Sequence, residues 1–123
     1  MKKIAALLLL ACAVAFAHAQ DSSSSVTGKW KVHSSIAGNE SDSECTFTQK
    51  DNDLTGTCAL EQINVKIAGK VDGKKVNWSY DTEYNGNPLT VKYNGTLDAG
   101  KITGDVLVVQ YEVTGDFTAT PSK

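Results

Sequence analysis

Apolar residues alternate with polar residues along nearly the whole chain after residue 25, and turn-forming residues interrupt this alternation about every ten residues. In the first such segment, Trp30 and Val32 share one face, whereas Lys29, Lys31 and His33 share the other. Alternation with a period of two is typical of β-strands that bury one face. No segment after residue 25 shows the spacing of an amphipathic helix. The chain is therefore predicted to form an all-β domain.

The same alternation recurs in four further segments. Their predicted inward residues are Ile63, Val65, Ile67 and Val71; Val76, Trp78 and Tyr80; Leu89, Val91, Tyr93 and Leu97; and Ile102, Val106 and Val108. Six glycines share the inward phase, and they are Gly28, Gly56, Gly69, Gly95, Gly104 and Gly115. Glycine within a strand indicates bending or a close approach of two backbones, and small closed barrels need both. We therefore predict an antiparallel up-and-down meander barrel of about eight short strands and favour it over a sandwich.

The dipeptide Asp72-Gly73 predicts a two-residue type I′ turn, which places Ile67 opposite Trp78. Asp98-Ala99-Gly100-Lys101 predicts a four-residue loop, and Asn85-Gly86-Asn87-Pro88 marks another connection.

The inward phase shifts at two places that lack a clear turn sequence. One shift lies between Leu60 and Ile63, and the other lies near Val109. Each is either a tight connection or a bulge, so a count of seven strands stays open.

Two of the three cysteines lie in the predicted barrel. A two-residue turn at Asp51-Asn52 pairs Lys50 with Asp53, and counting outward from it places Cys45 directly opposite Cys58. Opposite side chains on neighbouring antiparallel strands lie within reach of a disulfide bridge. We therefore predict a Cys45–Cys58 disulfide, with two free buried thiols as the alternative.

The N-terminus has the three parts of a secretion signal. Lys2 and Lys3 supply the positive charge, residues 4–16 form an almost wholly apolar run, and Ala17-His18-Ala19 supplies small residues at a cleavage site. The apolar run is shorter than the roughly 20 residues of a membrane-spanning helix. Residues 1–19 are therefore predicted to be a helical signal peptide.

Cleavage after residue 19 predicts a flexible polar leader over residues 20–25 and a barrel domain over residues 26–120. The protein is then periplasmic or secreted, with no membrane insertion after cleavage. Leu9-Leu10-Ala11-Cys12 resembles a lipoprotein signal, but the apolar run continues beyond Cys12 and disfavours that alternative.

Charge excludes one class of partner. Cleavage would leave 10 basic against 14 acidic residues, a net charge of −4, and the sequence contains no arginine. Nucleic-acid binders neutralise phosphates with clustered Lys and Arg. We therefore predict no binding to nucleic acid, and the same balance argues against anionic lipid headgroups.

Three short motifs resemble the calycins, the class of small barrels that includes lipocalins and avidins. They are Thr27-Gly28-Lys29-Trp30, Leu54-Thr55-Gly56-Thr57-Cys58 and Val76-Asn77-Trp78-Ser79-Tyr80. The resemblance implies an eight-stranded antiparallel barrel with Trp30 near its closed end and Trp78 on a ligand-wall position.

Biotin binding does not follow from this resemblance. Avidins have an Asn at the position of Val32 and a Tyr at the position of Cys58, and their later tryptophans have no counterpart after Trp78. Similarity of fold does not by itself transfer function.

Large aromatic residues with inward phase are candidate ligand-binding residues, and we select Trp78, Tyr80, Tyr93 and Trp30. Because the interior of an eight-stranded barrel is either filled by side chains or holds one small ligand, we expect a mostly filled interior. A shallow pocket is then expected at one mouth, near residues 36–44 and 82–88. We predict a non-enzymatic, lipocalin-like protein that takes a small apolar ligand there.

The alternative function is a periplasmic protein-binding module such as a protease inhibitor, whose leader, residues 20–25, would enter a protease cleft. Enzymatic activity has less support. His33 has an outward phase and no Gly-x-Ser-x-Gly motif accompanies it, and Asp81 and Glu83 form only a carboxylate pair at a strand end. No metal site or cofactor is predicted.

Overall fold

The computed structural model describes residues 25–61 and 63–122. These residues form eight strands: β1 (Gly28–Ile36), β2 (Asn39–Lys50), β3 (Asp53–Ala59), β4 (Asn64–Asp72), β5 (Lys75–Tyr84), β6 (Asn87–Asp98), β7 (Lys101–Val108) and β8 (Val113–Pro121). Each strand pairs antiparallel with the next, and β8 pairs with β1, so the sheet closes. The predicted all-β, eight-stranded meander barrel is confirmed. The predicted signal peptide (1–19) and residues 20–24 of the predicted leader lie outside the described residues.

Both shifts of the inward phase are connections between strands, which settles the strand count at eight. Residues 60–63 join β3 to β4, and the backbone N–H of Leu60 donates to the carbonyl oxygen of Ile63 at 2.8 Å. A single 3₁₀ turn, Val109–Tyr111, joins β7 to β8. The prediction that Ile63 points inward is wrong, because Ile63 lies in this connection and is 51% exposed.

Three tight turns share one geometry. Both central residues have positive φ in Ala37-Gly38, Asn85-Gly86 and Ala99-Gly100, as type I′ turns require. The last of these is shorter than the predicted four-residue loop, because Asp98 and Lys101 pair with each other as the final residues of β6 and β7.

The turn between β4 and β5 differs from its prediction. Asp72 pairs with Lys75, so Gly73 and Lys74 are the central residues of the turn. Only Gly73 has positive φ, at 61°, which is the pattern of a type II′ turn with glycine in first position. The predicted type I′ turn at Asp72-Gly73 is therefore wrong.

This turn shifts the β4–β5 register by two residues. Gly69, and not Ile67, lies opposite Trp78. The shift keeps every side chain on its predicted face because faces alternate with a period of two. It also places glycine where space is least, since a Cβ atom on Gly69 would lie 1.8 Å from the carbonyl oxygen of Asn77.

Aromatic side chains fill the interior of the barrel around Trp78, which is 1% exposed. The Trp78 ring stacks on Tyr93 at 4.9 Å and contacts Phe47 at 4.8 Å and Phe117 at 5.3 Å between ring centroids. The four rings are contributed by β2, β5, β6 and β8, so they connect opposite walls of the barrel.

The N-terminal residues of the domain close one end of the barrel. Val26 is fully buried, and its carbonyl oxygen accepts a hydrogen bond from Nε1 of Trp30 at 2.9 Å. The N–H of Val26 donates to Oε1 of Gln49 at 3.0 Å. Trp30 thus lies at the closed end, as the calycin resemblance implied.

Cys45 and Cys58 form a disulfide bond and are directly opposite each other in the β2–β3 register. Both are 1% exposed and belong to the core. The predicted bridge is confirmed, together with the turn count from which it was derived.

Reduction of this bridge should lower the free energy of unfolding. The two cysteines are 13 residues apart in sequence, and a loop of this size contributes about 3 kcal/mol in the chain-entropy model. Urea unfolding of the oxidised protein and of the Cys45→Ala/Cys58→Ala double variant measures the difference. Two reactive thiols in the native oxidised protein would contradict the prediction.

Candidate ligand site at the open end of the barrel

The end of the barrel opposite Trp30 is open, and the connections at residues 37–38, 60–63, 85–86 and 109–112 surround it. Among the described residues, the exposed large apolar side chains all lie at this end: Ile63, Tyr84, Val109 and Tyr111. Such a concentration of exposed apolar surface is typical of interaction sites.

A pocket of about 560 Å³ lies at the open end, and we call it the mouth pocket. Its apolar lining consists of Leu60, Ile63, Tyr80, Leu89, Val91 and Tyr93. Its polar lining consists of Ser41, Asp42, Ser43, Glu61, Thr82 and Glu83. The pocket therefore combines an apolar floor with a polar, acidic rim.

Tyr93 connects the mouth pocket to the core. Its ring lies parallel to the Trp78 ring within 11°, and its hydroxyl is 3.4 Å from Oγ of the buried Ser34. The ring of Tyr80 lies 6.2 Å from that of Tyr93. These contacts hold Tyr93 from two sides, so the floor of the pocket is preorganised.

Tyr80 supplies a polar group to this floor. Burial raises the pKa of its hydroxyl above the ordinary value near 10, and the neighbouring Tyr93 adds to the shift. The neutral form of the Tyr80 hydroxyl is therefore favoured, and the floor of the pocket carries no charge from this residue.

The structure brings two of the four predicted ligand-binding residues together at the mouth pocket. Tyr80 and Tyr93 line it, whereas Trp78 lies directly beneath Tyr93 in the core. Trp30 lies at the opposite, closed end. Nε1 of Trp78 is buried and has no hydrogen-bond partner among the described residues.

A second depression of about 670 Å³ adjoins the mouth pocket and shares Ser41, Glu61 and Leu89 with it. Its lining includes the exposed rings of Tyr84 and Tyr111. The open end thus presents one extended surface that combines apolar and aromatic side chains with a polar, acidic rim.

Several of these residues could not be recognised from the sequence. Residues 36–44 and 82–88 contribute to the rim as expected, but Leu60 and Glu61 follow β3 in a segment without turn residues. Tyr84 falls within the expected residues 82–88, whereas Tyr111 lies in the 3₁₀ turn at the second phase shift, where the sequence predicted a connection or a bulge and no site. Their positions beside two connections at the same end become evident only when the barrel closes.

His33 is exposed on the outside of the barrel, as its phase indicates, and it has two acidic partners on β2. Its Nδ1 lies 2.7 Å from Oδ1 of Asp42, and its Nε2 lies 2.6 Å from Oε1 of Glu40. Ser35 also donates to Glu40, at 3.1 Å. The cross-strand pairing of His33 with Asp42 places these groups together.

The carboxylates beside His33 raise its pKa above the ordinary value of 6.5. The hydrogen bond with Asp42 is the largest cause and that with Glu40 the next. On the other side of β1, the residue of β8 that pairs with His33 is Thr118, whose side chain does not titrate. The protonated imidazole is therefore the favoured form over a wider pH range than usual.

No model of a known protein family matches this chain, and no curated protein matches it significantly. The closed eight-stranded barrel is compatible with a calycin-like fold. None of the described residues forms a helix long and apolar enough to cross a membrane.

The ion pairs of His33 predict a specific pH dependence. Because the folded-state pKa is raised, their stabilisation is complete below about pH 6.5 and is lost as pH rises through the folded-state value. We expect the urea midpoint of the wild type to fall over this range and that of His33→Gln to change less. Lys31→Gln, which alters a charge on the same face of β1, is the control and should keep the wild-type slope. Equal slopes for wild type and His33→Gln would contradict the prediction.

Proposed function

We propose that this protein is an exported, non-enzymatic binding protein that takes a small apolar ligand in the mouth pocket. The observation that carries this proposal is the apolar, partly aromatic floor beneath an open rim. The volume of about 560 Å³ lies within the range of roughly 300–1,000 Å³ that is usual for small-molecule sites.

The filled interior directs the ligand to the mouth. Phe47, Trp78, Tyr93 and Phe117 occupy the centre of the barrel, and each is at most 5% exposed. A ligand in the mouth pocket would therefore contact Tyr80 and Tyr93 at the open end and would not enter the interior of the barrel.

The acidic side chains of the rim favour a ligand without negative charge. Glu61 and Glu83 line the mouth pocket with no ion-pair partner among the described residues, whereas Asp42, which also lines it, is paired with His33. No Lys among the described residues lines the pocket. Tyr80 and Tyr93 offer aromatic faces that attract cations as well as apolar groups. We propose that neutral or cationic apolar molecules bind in preference to anionic ones.

Export and the absence of enzymatic activity belong to the same proposal. The Cys45–Cys58 bridge supports an oxidising compartment, periplasmic or extracellular, because disulfides persist there. Asp81, one of the two carboxylates considered for catalysis, accepts a hydrogen bond from Oγ1 of Thr90 at 2.8 Å, which suits a structural role.

A protein-binding module, such as a protease inhibitor, is the second candidate. The exposed rings of Tyr84 and Tyr111 favour a macromolecular partner, since aromatic residues are enriched at interfaces. Deletion of residues 20–25 should abolish inhibition of periplasmic proteases if the leader acts as expected. Unchanged inhibition, or none from the intact protein, removes this candidate.

Nile red, a neutral apolar fluorophore, tests the mouth pocket directly. We expect saturable binding to the wild type and a loss of roughly tenfold in affinity for Tyr80→Ala, because that ring forms part of the floor. Leu97→Ala, a truncation of a half-buried side chain near the closed end, is the control and should bind like the wild type. Equal loss in both variants, or no saturable binding, would refute the proposal.

A further inference from the structure

The barrel wall is incomplete between β4 and β5. These strands pair only over residues 68–72 and 75–79, at the closed end of the barrel. Toward the open end, residues 64–67 pair with β3 alone and residues 80–84 pair with β6 alone. We call these two facing strand segments the seam.

A groove of about 770 Å³ lies along the seam. It is lined by Ile63, Asn64, Val65, Lys66, Asp81, Thr82 and Glu83. Every other pair of neighbouring strands in the barrel is matched over at least seven residue pairs, against five here. The seam is therefore the one place in the described sheet where two facing strand segments both lack a partner.

The backbone of β5 directs hydrogen-bonding groups into the seam. Asp81 lies opposite Thr90, but the N–H of Thr90 donates to Oε1 of Gln110 at 2.7 Å, away from β5. Asp81 and Thr90 are thus a non-hydrogen-bonded pair, and the N–H and C=O of Asp81 point away from β6. By alternation, those of Glu83 point into the seam as well.

The backbone of β4 supplies the matching edge. The N–H of Val71 donates to the carbonyl oxygen of Asn52 at 2.9 Å, toward β3. Alternation along β4 therefore directs the backbone groups of Asn64 and Lys66 toward β5 and into the seam. The two edges face each other with their donors and acceptors unpaired by sheet hydrogen bonds.

Unpaired strand edges are templates for an extended chain, which gains main-chain hydrogen bonds by adding as a strand. We propose that the seam binds an extended segment of another protein by β-strand addition. The segment would carry apolar residues at alternate positions and basic residues between them.

The inward side of the seam favours apolar residues at alternate positions of the added segment. Ile63, Thr82 and Glu83 line both the groove and the mouth pocket, so the two are continuous. Inward side chains of an added strand would meet Val65 and the apolar floor of the pocket. Burial of such side chains supplies affinity beyond the main-chain hydrogen bonds.

The outward side of the seam favours basic residues at the intervening positions of the added segment. Asp81 and Glu83 are exposed on β5, with Glu61 on the nearby rim, and Lys66 is the single basic side chain that lines the groove. Charge complementarity therefore favours Lys or Arg at the outward positions of the segment. The leader of the same chain is disfavoured as the segment, because Val26, the residue that follows it, is bound to Gln49 at the closed end.

A blocked heptapeptide of alternating Lys and Val tests the proposal with the full-length mature protein. We expect saturable binding at about 0.15 M salt and a loss of at least about tenfold for Asp81→Pro, which removes an N–H that points into the seam. Asp81→Asn keeps that N–H and is the matched control, with an expected loss below about threefold. Equal losses in the two variants would overturn the proposal.

Measurements on the unmodified protein keep the test independent of how Asp81→Pro folds. The amides of Lys66, Asp81 and Glu83 should exchange rapidly in the free protein and slow down when the peptide binds. Protection of these amides without peptide would overturn the proposal, since the seam would then be closed or paired with a second copy. Equal binding of the same peptide N-methylated at every second residue would also overturn it, because charge alone would then explain binding.

The seam proposal and the proposal of a ligand in the mouth pocket can be tested separately. Nile red binding by Asp81→Asn, measured without the heptapeptide, should stay at the wild-type level, because the Asp81 side chain is not part of the mouth pocket. Failure of one proposal therefore leaves the other to be judged by its own measurement.

Discussion

Closure of the sheet through the pairing of β8 with β1 is the constraint on which the rest of this structure depends. A small closed barrel must coil its strands tightly, and neighbouring backbones then approach too closely for a side chain at certain positions. Gly104 shows this clearly, since a Cβ atom there would lie 1.9 Å from the carbonyl oxygen of Asn94. Closure also pairs nearly every strand edge, which makes the open seam between β4 and β5 exceptional.

The narrow interior has a direct consequence for function. Trp78 and the three aromatic rings around it fill the space that a wider barrel would leave for a ligand. A small ligand, as proposed above, would therefore bind at the open end, where Tyr80 and Tyr93 line a pocket. The same end bears the exposed apolar residues and the acidic rim, so recognition of a ligand and of a polypeptide would share one region.

Electrostatics at the open end follow from strand register. Cross-strand pairing of β1 with β2 places His33 between Asp42 and Glu40, which leaves these two carboxylates partly neutralised on the outer wall. Glu61, Asp81 and Glu83 have no such partner among the described ion pairs. The negative charge is thus concentrated along the seam and the rim of the mouth pocket.

The sequence by itself determined the fold class, the inward and outward faces of the strands, and the Cys45–Cys58 bridge. These properties depend on alternation and on short turns, which are local and can be counted along the chain. The turn at Gly73 shows the limit of such counting: a type II′ geometry moves the register by two residues without changing a face, so alternation could not detect the error.

Only the tertiary structure decided which aromatic residues meet at the open end and where the wall is interrupted. Trp78 and Tyr93 have the same inward phase, yet stacking places Tyr93 above Trp78 and next to the pocket. The seam likewise could not be predicted from the sequence, because polar and apolar residues alternate in residues 64–67 and 80–84 as they do in the paired strands. Depth in the barrel and the separation of two strands depend on how all eight strands coil together, and no local pattern encodes that geometry.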